Sequence, residues 1–143
     1  MILLENGKQF SGTMVIGNYL KGEIVFQTGM TGYIEAITDP SYKDQILVFT
    51  YPMVGNYKVM DEMMESECVC VKGVIVRTAD IHLIEFLKKY NIPLMTGVDT
   101  RALTIELREE GTMIGELWDG KSDKIDVPSL EFTKYDKKRF GNW

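Results

Sequence analysis

Two apolar runs, Gly22–Thr28 and Gln45–Tyr51, are joined by a short stretch rich in Gly, Thr, Ser, Pro and Tyr. Each run has the length and β-branched or aromatic content of a strand. In the first, Ile24 and Phe26 face one way and Glu23, Val25 and Gln27 the other. The joining stretch is too polar for a core and too particular in composition for a linker. Tyr33–Thr38 reads as a short helix, because Asp39-Pro40 must end it: proline pushes the residue before it out of the helical region. Gly29 and Gly32 allow positive φ or a close backbone approach, and Thr31, Tyr33, Ser41 and Tyr42 offer hydroxyls. Gly55-Asn56 supplies a second turn, close to the first if the two strands are neighbours. The segment therefore reads either as a ligand-facing edge or as turns in which Asp39, Ser41 and Asn56 only satisfy backbone groups.

The remaining elements follow from turn and cap signals. Met1–Glu5 and Lys8–Phe10 read as a hairpin closed by a two-residue Asn6-Gly7 turn, with Thr13–Ile16 continuing its second strand. Glu67–Val76 reads as a strand, with Gly73 as a possible bulge. Asp80 caps a helix through Tyr90, with Ile81, Ile84 and Leu87 on one face, stopped by Asn91 and Pro93. Pro93–Thr96 is a short strand. Asp99 caps Thr100–Glu110, with Leu103 and Leu107 inward and Gly111 as terminator. Met113–Trp118 is the last strand. Strands first and helix–strand units later give an α+β fold, in a layered β/β/α arrangement with mixed sheets and about two to three helices. We divide the chain into a domain, residues 1–118, and a charged linker or C-terminal arm, residues 119–143.

At 143 residues the chain is long enough to bury about two-thirds of its unfolded surface. A net charge of −5 argues against nucleic acid as a partner, since phosphate binding needs clustered Lys and Arg. No apolar run approaches a membrane span, and the opening MILLENGKQF reads as a strand, not a signal peptide, so the expected location is cytoplasmic.

Catalytic machinery is not visible. The single histidine, His82, falls in the first turn of a helix. Cys68 and Cys70 lie inside an expected strand, on one face, and read as small buried apolar residues. A metal site would need more soft ligands than these. Phosphate-cradling glycine motifs and nucleophile elbows are absent from the sequence. Glu35 and Asp39 share i, i+4 spacing, which reads as a solvated face and a turn cap.

A family resemblance rests on an ordered series of motifs. They are Gly22-Glu23-Ile24-Val25-Phe26, Met30-Thr31-Gly32-Tyr33, Thr38-Asp39-Pro40-Ser41-Tyr42, Gln45-Ile46, Thr50-Tyr51-Pro52 and Gly55-Asn56. Gly97-Val98-Asp99-Thr100-Arg101-Ala102-Leu103-Thr104 and Leu107-Arg108-Glu109-Glu110-Gly111 continue the series, and Leu3–Gly7 and Phe10-Ser11-Gly12 open it. Across roughly residues 1–118 the chain resembles the N-terminal half of the small, glutaminase subunit of glutamine-dependent carbamoyl phosphate synthetase. It departs in having Gln27-Thr28-Gly29 where that family usually has Asn-Thr-Ser, and Lys58 where a Gly usually follows the Gly-Asn turn.

The resemblance implies a swivelling β/β/α domain that docks on the large synthetase subunit. It also implies a neighbouring glutamine amidotransferase domain with a Cys-His-Glu triad, none of which these residues match. Ammonia from glutamine would pass to the large subunit, which uses ATP and Mg to make carbamoyl phosphate for pyrimidine and arginine synthesis; no cofactor is implied for this chain itself. Ser41 is the residue that the resemblance places against glutamine, with Met30, Thr31, Gly32, Tyr33, Asp39, Tyr42, Gly55 and Asn56 as interface or pocket-loop candidates. The chain alone is expected to be inactive. The alternative is a stand-alone interaction protein that keeps the docking surface without the enzyme.

Overall fold

The computed structural model describes residues 1–28, 33–50, 53–54 and 69–125. Its centre is four parallel strands: β4 (Tyr19–Gln27), β5 (Ile46–Phe49), β7 (Gly73–Ile75) and β9 (Leu94–Thr96). All four residues of β5 are buried, as expected for a parallel strand covered on both faces. Ile46 and Val48 point to one core with Ile24 and Ile75; Leu47 and Phe49 point to the other with Val74 and Leu94. The first core is closed by α3 (Thr100–Glu110) through Leu103 and Leu107. The second is closed by α1 (Tyr33–Ile37) through Ala36 and Ile37, and by α2 (Ile81–Lys89) through Leu83, Phe86 and Leu87. The α+β expectation holds, with a mixed sheet and three helices among the described residues. A separate two-stranded parallel sheet pairs β6 (Met53–Val54) with β8 (Thr78–Ala79).

Antiparallel strands extend both flanks. On one side β10 (Met113–Trp118) pairs with β4, then β1 (Ile2–Leu4) with β10, then β2 (Gln9–Phe10) with β1. On the other side β3 (Thr13–Ile16) pairs with β9. The continuation expected for Thr13–Ile16 is therefore wrong: it forms the opposite edge of the eight-stranded sheet. Only Ser11 and Gly12 connect the two edges, a link that spans at most about 11 Å. A flat sheet of this many strands would hold its edges about 34 Å apart. The sheet must therefore be curled until its edges nearly meet. Gly12 makes the crossing possible, since a Cβ there would lie 2.7 Å from both Met95 Sδ and Val98 Cγ2.

Three further expectations are corrected. The first hairpin turns through three residues, Glu5-Asn6-Gly7, because Leu3 pairs with Gln9 and the Leu4 amide donates to the Lys8 carbonyl. Gly7 alone of these takes a positive φ, 93°, the geometry of a tight turn followed by a bulge. Glu5 is drawn to β10, where its amide donates to the Ile114 carbonyl at 3.0 Å and its carboxylate accepts from the Ile114 amide at 2.5 Å. Of the strand expected over Glu67–Val76, the described residues 69–76 are strand only at Gly73–Ile75. Cys70 precedes it, donating its amide to the Ile37 carbonyl and accepting from the Asp44 amide. The chain here crosses the end of α1 instead of running along β5. Ile81 is 58% exposed, so the inner face of α2 is Leu83, Phe86, Leu87 and Tyr90, with Ile84 at its margin.

The helix boundaries agree with their caps. Asp80 Oδ1 accepts from the Leu83 amide at 3.1 Å, and Asp99 Oδ1 from the Ala102 amide at 3.0 Å. Gly111 closes α3 at φ 88°. The hairpin is fixed to α3 by Glu106, which faces Lys8 Nζ at 3.1 Å and accepts from Asn6 Nδ2 at 2.7 Å; both contacts hold its carboxyl below the usual range. No helix among the described residues is long and apolar enough to cross a membrane.

Candidate functional site

The Asp39–Tyr42 motif is a 3-10 turn built from local chemistry. Asp39 is extended, with ψ 121°, as the residue before proline must be. Pro40 supplies a helical φ at the first position of the turn, where its missing N–H costs nothing. The Asp39 carboxylate accepts the Ser41 amide at 2.9 Å, and the Lys43 amide donates to the Pro40 carbonyl at 3.1 Å. The Asp39 amide reaches back to Ala36, and the Gln45 amide reaches back to Tyr42. Asp44, at φ 63°, reverses the chain into β5.

The turn's backbone is thus bonded inward while its side chains diverge. Ser41 is exposed, and its hydroxyl makes no hydrogen bond among the described residues. Tyr42 is half-buried against the core that holds Leu47 and Phe49. Its Oη accepts from Gln27 Nε2 at 3.3 Å. Gln27 is the last residue of β4, and its carbonyl accepts both the amide and the hydroxyl of Thr50, each at 3.3 Å. Thr100 Oγ1, in the first turn of α3, donates in turn to the Thr50 carbonyl at 3.5 Å. A continuous set of hydrogen bonds therefore runs from the Ser41 turn, across the ends of β4 and β5, to the start of α3.

Of the candidates read from the sequence, Asp39, Ser41 and Tyr42 are brought together in this turn. Tyr33 opens α1. Met30, Thr31, Gly32, Gly55 and Asn56 lie outside the described residues, as does Cys68. Gln27, Thr50 and Thr100 had no assigned role. The available signal was a polar residue ending an apolar strand on the face of Val25. Cys70 is buried, with Sγ 3.7 Å from the Thr38 carbonyl, and His82 is half-buried on α2. Among the described residues no group of three or more His, Cys, Asp or Glu could hold a metal ion.

A curled mixed sheet with this cap-and-turn series invites comparison with known chains. A family model described as carbamoyl-phosphate synthase small chain, CPSase domain, matches residues 2–117, from the start of β1 into β10. The chain belongs to this family. The arginine-specific carbamoyl phosphate synthase small chain of Geobacillus stearothermophilus is 49% identical, over 78% of this chain and 35% of its own length. The carbamoyl phosphate synthase small chain of Listeria innocua is 49% identical, over 89% of this chain and 38% of its own. The arginine-specific small chain of Bacillus subtilis is 48% identical, over 78% and 34%. The chain thus spans little more than a third of the length of these relatives. Among solved structures, aconitase X of Thermococcus kodakaraensis in its holo form superposes with a TM-score of 0.56 over 80% of this chain and 94% of that one. At 17% identity that likeness concerns the fold alone.

Proposed function

We propose that this carbamoyl phosphate synthase small-chain domain docks on the large synthetase chain and completes a glutamine pocket whose catalytic residues belong to an amidotransferase domain. The observation that carries the reading is Ser41: an exposed hydroxyl, unbonded among the described residues, on a turn whose backbone is already satisfied. A neutral, zwitterionic substrate is held by a few well-placed hydrogen bonds, and a serine hydroxyl can donate one and accept another. Among the described residues no nucleophile and base are brought together. Glutamine hydrolysis and the ATP-dependent steps fall to the neighbouring domain and the large chain, so these residues bind and orient without cleaving.

Two measurements test this. The purified 143-residue chain should release no ammonia from glutamine. In the synthetase assembled from a full-length small chain carrying this domain and its large chain, Ser41→Ala should raise the KM for glutamine about tenfold and leave the ammonia-dependent rate unchanged. Ammonia release by the isolated chain, or an unchanged KM in the Ser41→Ala enzyme, would refute the assignment.

A further inference from the structure

We infer that Gln27 and Tyr42 are positioning residues for the Ser41 hydroxyl, acting through the hydrogen bond between their side chains. The inference rests on the reading that Ser41 meets glutamine. Ser41 and Tyr42 are consecutive residues of one 3-10 turn, so the place of the Tyr42 ring sets the place of the serine. The bonds that shape the turn are local: Asp39 to Ser41, Pro40 to Lys43 and Tyr42 to Gln45. They define its form; the Asp44 amide, donating to the Cys70 carbonyl, and Gln45 Nε2, donating to Glu23 Oε1 on β4, anchor only the residues that follow it. Burial of the Tyr42 ring against the core gives the turn a footing, and the Gln27 amide gives that ring a direction.

Gln27 suits the task because it is itself held. It pairs with Phe49 across the β4–β5 ladder, and its carbonyl takes two hydrogen bonds from Thr50. Its side chain then reaches from a fixed backbone to Tyr42 Oη. A substrate-facing hydroxyl acts only when placed within a few tenths of an ångström, and residues behind it must supply that placement. Removing the tie lets the turn occupy other positions, and binding weakens by the fraction of time Ser41 spends out of place.

The test uses the same assembled synthetase. Tyr42→Phe keeps the ring and removes the acceptor; Gln27→Leu keeps the bulk and removes the donor. Each should raise the KM for glutamine about three- to tenfold, with the ammonia-dependent rate unchanged. In the double variant the two losses should be less than additive, because both substitutions remove the hydrogen bond that the side chains share. Gln27→Glu, whose carboxylate can accept from the Tyr42 hydroxyl, should restore most of the loss. If Ser41→Ala raises the KM while Tyr42→Phe and Gln27→Leu do not, the positioning role is wrong and the reading of Ser41 stands. A second readout needs no glutamine: amide exchange at Tyr42 and Lys43 in the 143-residue chain should speed up in both single variants. Unchanged exchange would overturn the inference whatever the kinetics show.

Discussion

Leu20 occupies the space that a side chain on Gly73 would need: a Cβ at that position would lie 2.6 Å from Leu20 Cδ1. The two residues sit on β4 and β7, on either side of β5, so their approach helps set the curvature of the sheet. Gly73→Ala should therefore cost about 1–3 kcal/mol, the usual penalty for overpacking a filled core. Urea denaturation checks it, and Leu20→Ala in the Gly73→Ala background should not add its full single cost. Simple additivity of the two would contradict the steric account.

Capping gives a separable prediction. Asp99→Ala removes the carboxylate that accepts the Ala102 amide, and should lower stability by about 0.5–2 kcal/mol. Asp99→Asn should retain most of it. The denaturant midpoint is the readout, with an unchanged slope showing that the loss is in the native state.

How much of this was legible in the sequence depends on the range of the interaction. The caps at Asp80 and Asp99, the stop at Gly111 and the strand Met113–Trp118 were read correctly, because each is set by neighbours within a turn or by simple alternation. The end of the short α1 before Asp39-Pro40 was legible for the same reason. The errors have distant causes. Thr13–Ile16 leaves the hairpin for β9 because the sheet curls, which no local pattern encodes. Glu67–Val76 was read as one strand, yet Val69 and Val71 are buried while the backbone of Cys70 between them bonds to Ile37 of α1 and to Asp44 in the turn before β5. Ser41 was singled out by resemblance; its neighbours Tyr42 and Gln27 are linked across fifteen positions, which only the fold reveals.

Cys70 should be chemically silent in the folded protein. It is buried, with its sulfur directed at the Thr38 carbonyl. In a Cys68→Ser background, a thiol reagent should label Cys70 at the rate of unfolding and not at the rate of a free thiol. Fast labelling without denaturant would show that the loop opens independently of the core.

The Asp119 turn supplies a pH prediction. The Ser122 and Lys121 amides and the Ser122 hydroxyl donate to the Asp119 carboxylate, pulling its pKa from 3.8 to about 2. The folded state therefore holds its proton less tightly than the unfolded state does. The stabilisation is complete above about pH 4 and is lost as the pH falls toward 2. Trp118 reports on it, because its Nε1 donates to the Ser122 carbonyl at 2.8 Å. Its fluorescence should change over this window, and Asp119→Asn should show the low-pH signal at neutral pH. An unaltered spectrum in that variant would argue against the link.

The pairing of β10 with both β1 and β4 carries a consequence for the order in which a ribosome must work. Ile2 is partnered by Leu117, and the amide of Trp118 by the carbonyl of Met1. β1 thus has β2 beside it early but waits for nearly the whole domain before its second neighbour, β10, exists. Until residue 118 clears the exit tunnel, the sheet lacks the strand between β1 and β4, and Ile2, Leu4 and Leu20 have no complete core to enter. Such long-range closure is slow and leaves apolar edges open while it is pending. Synthesis stalled before Met113 should accordingly yield a protease-sensitive chain, and stalling once Trp118 is free should yield a protected one.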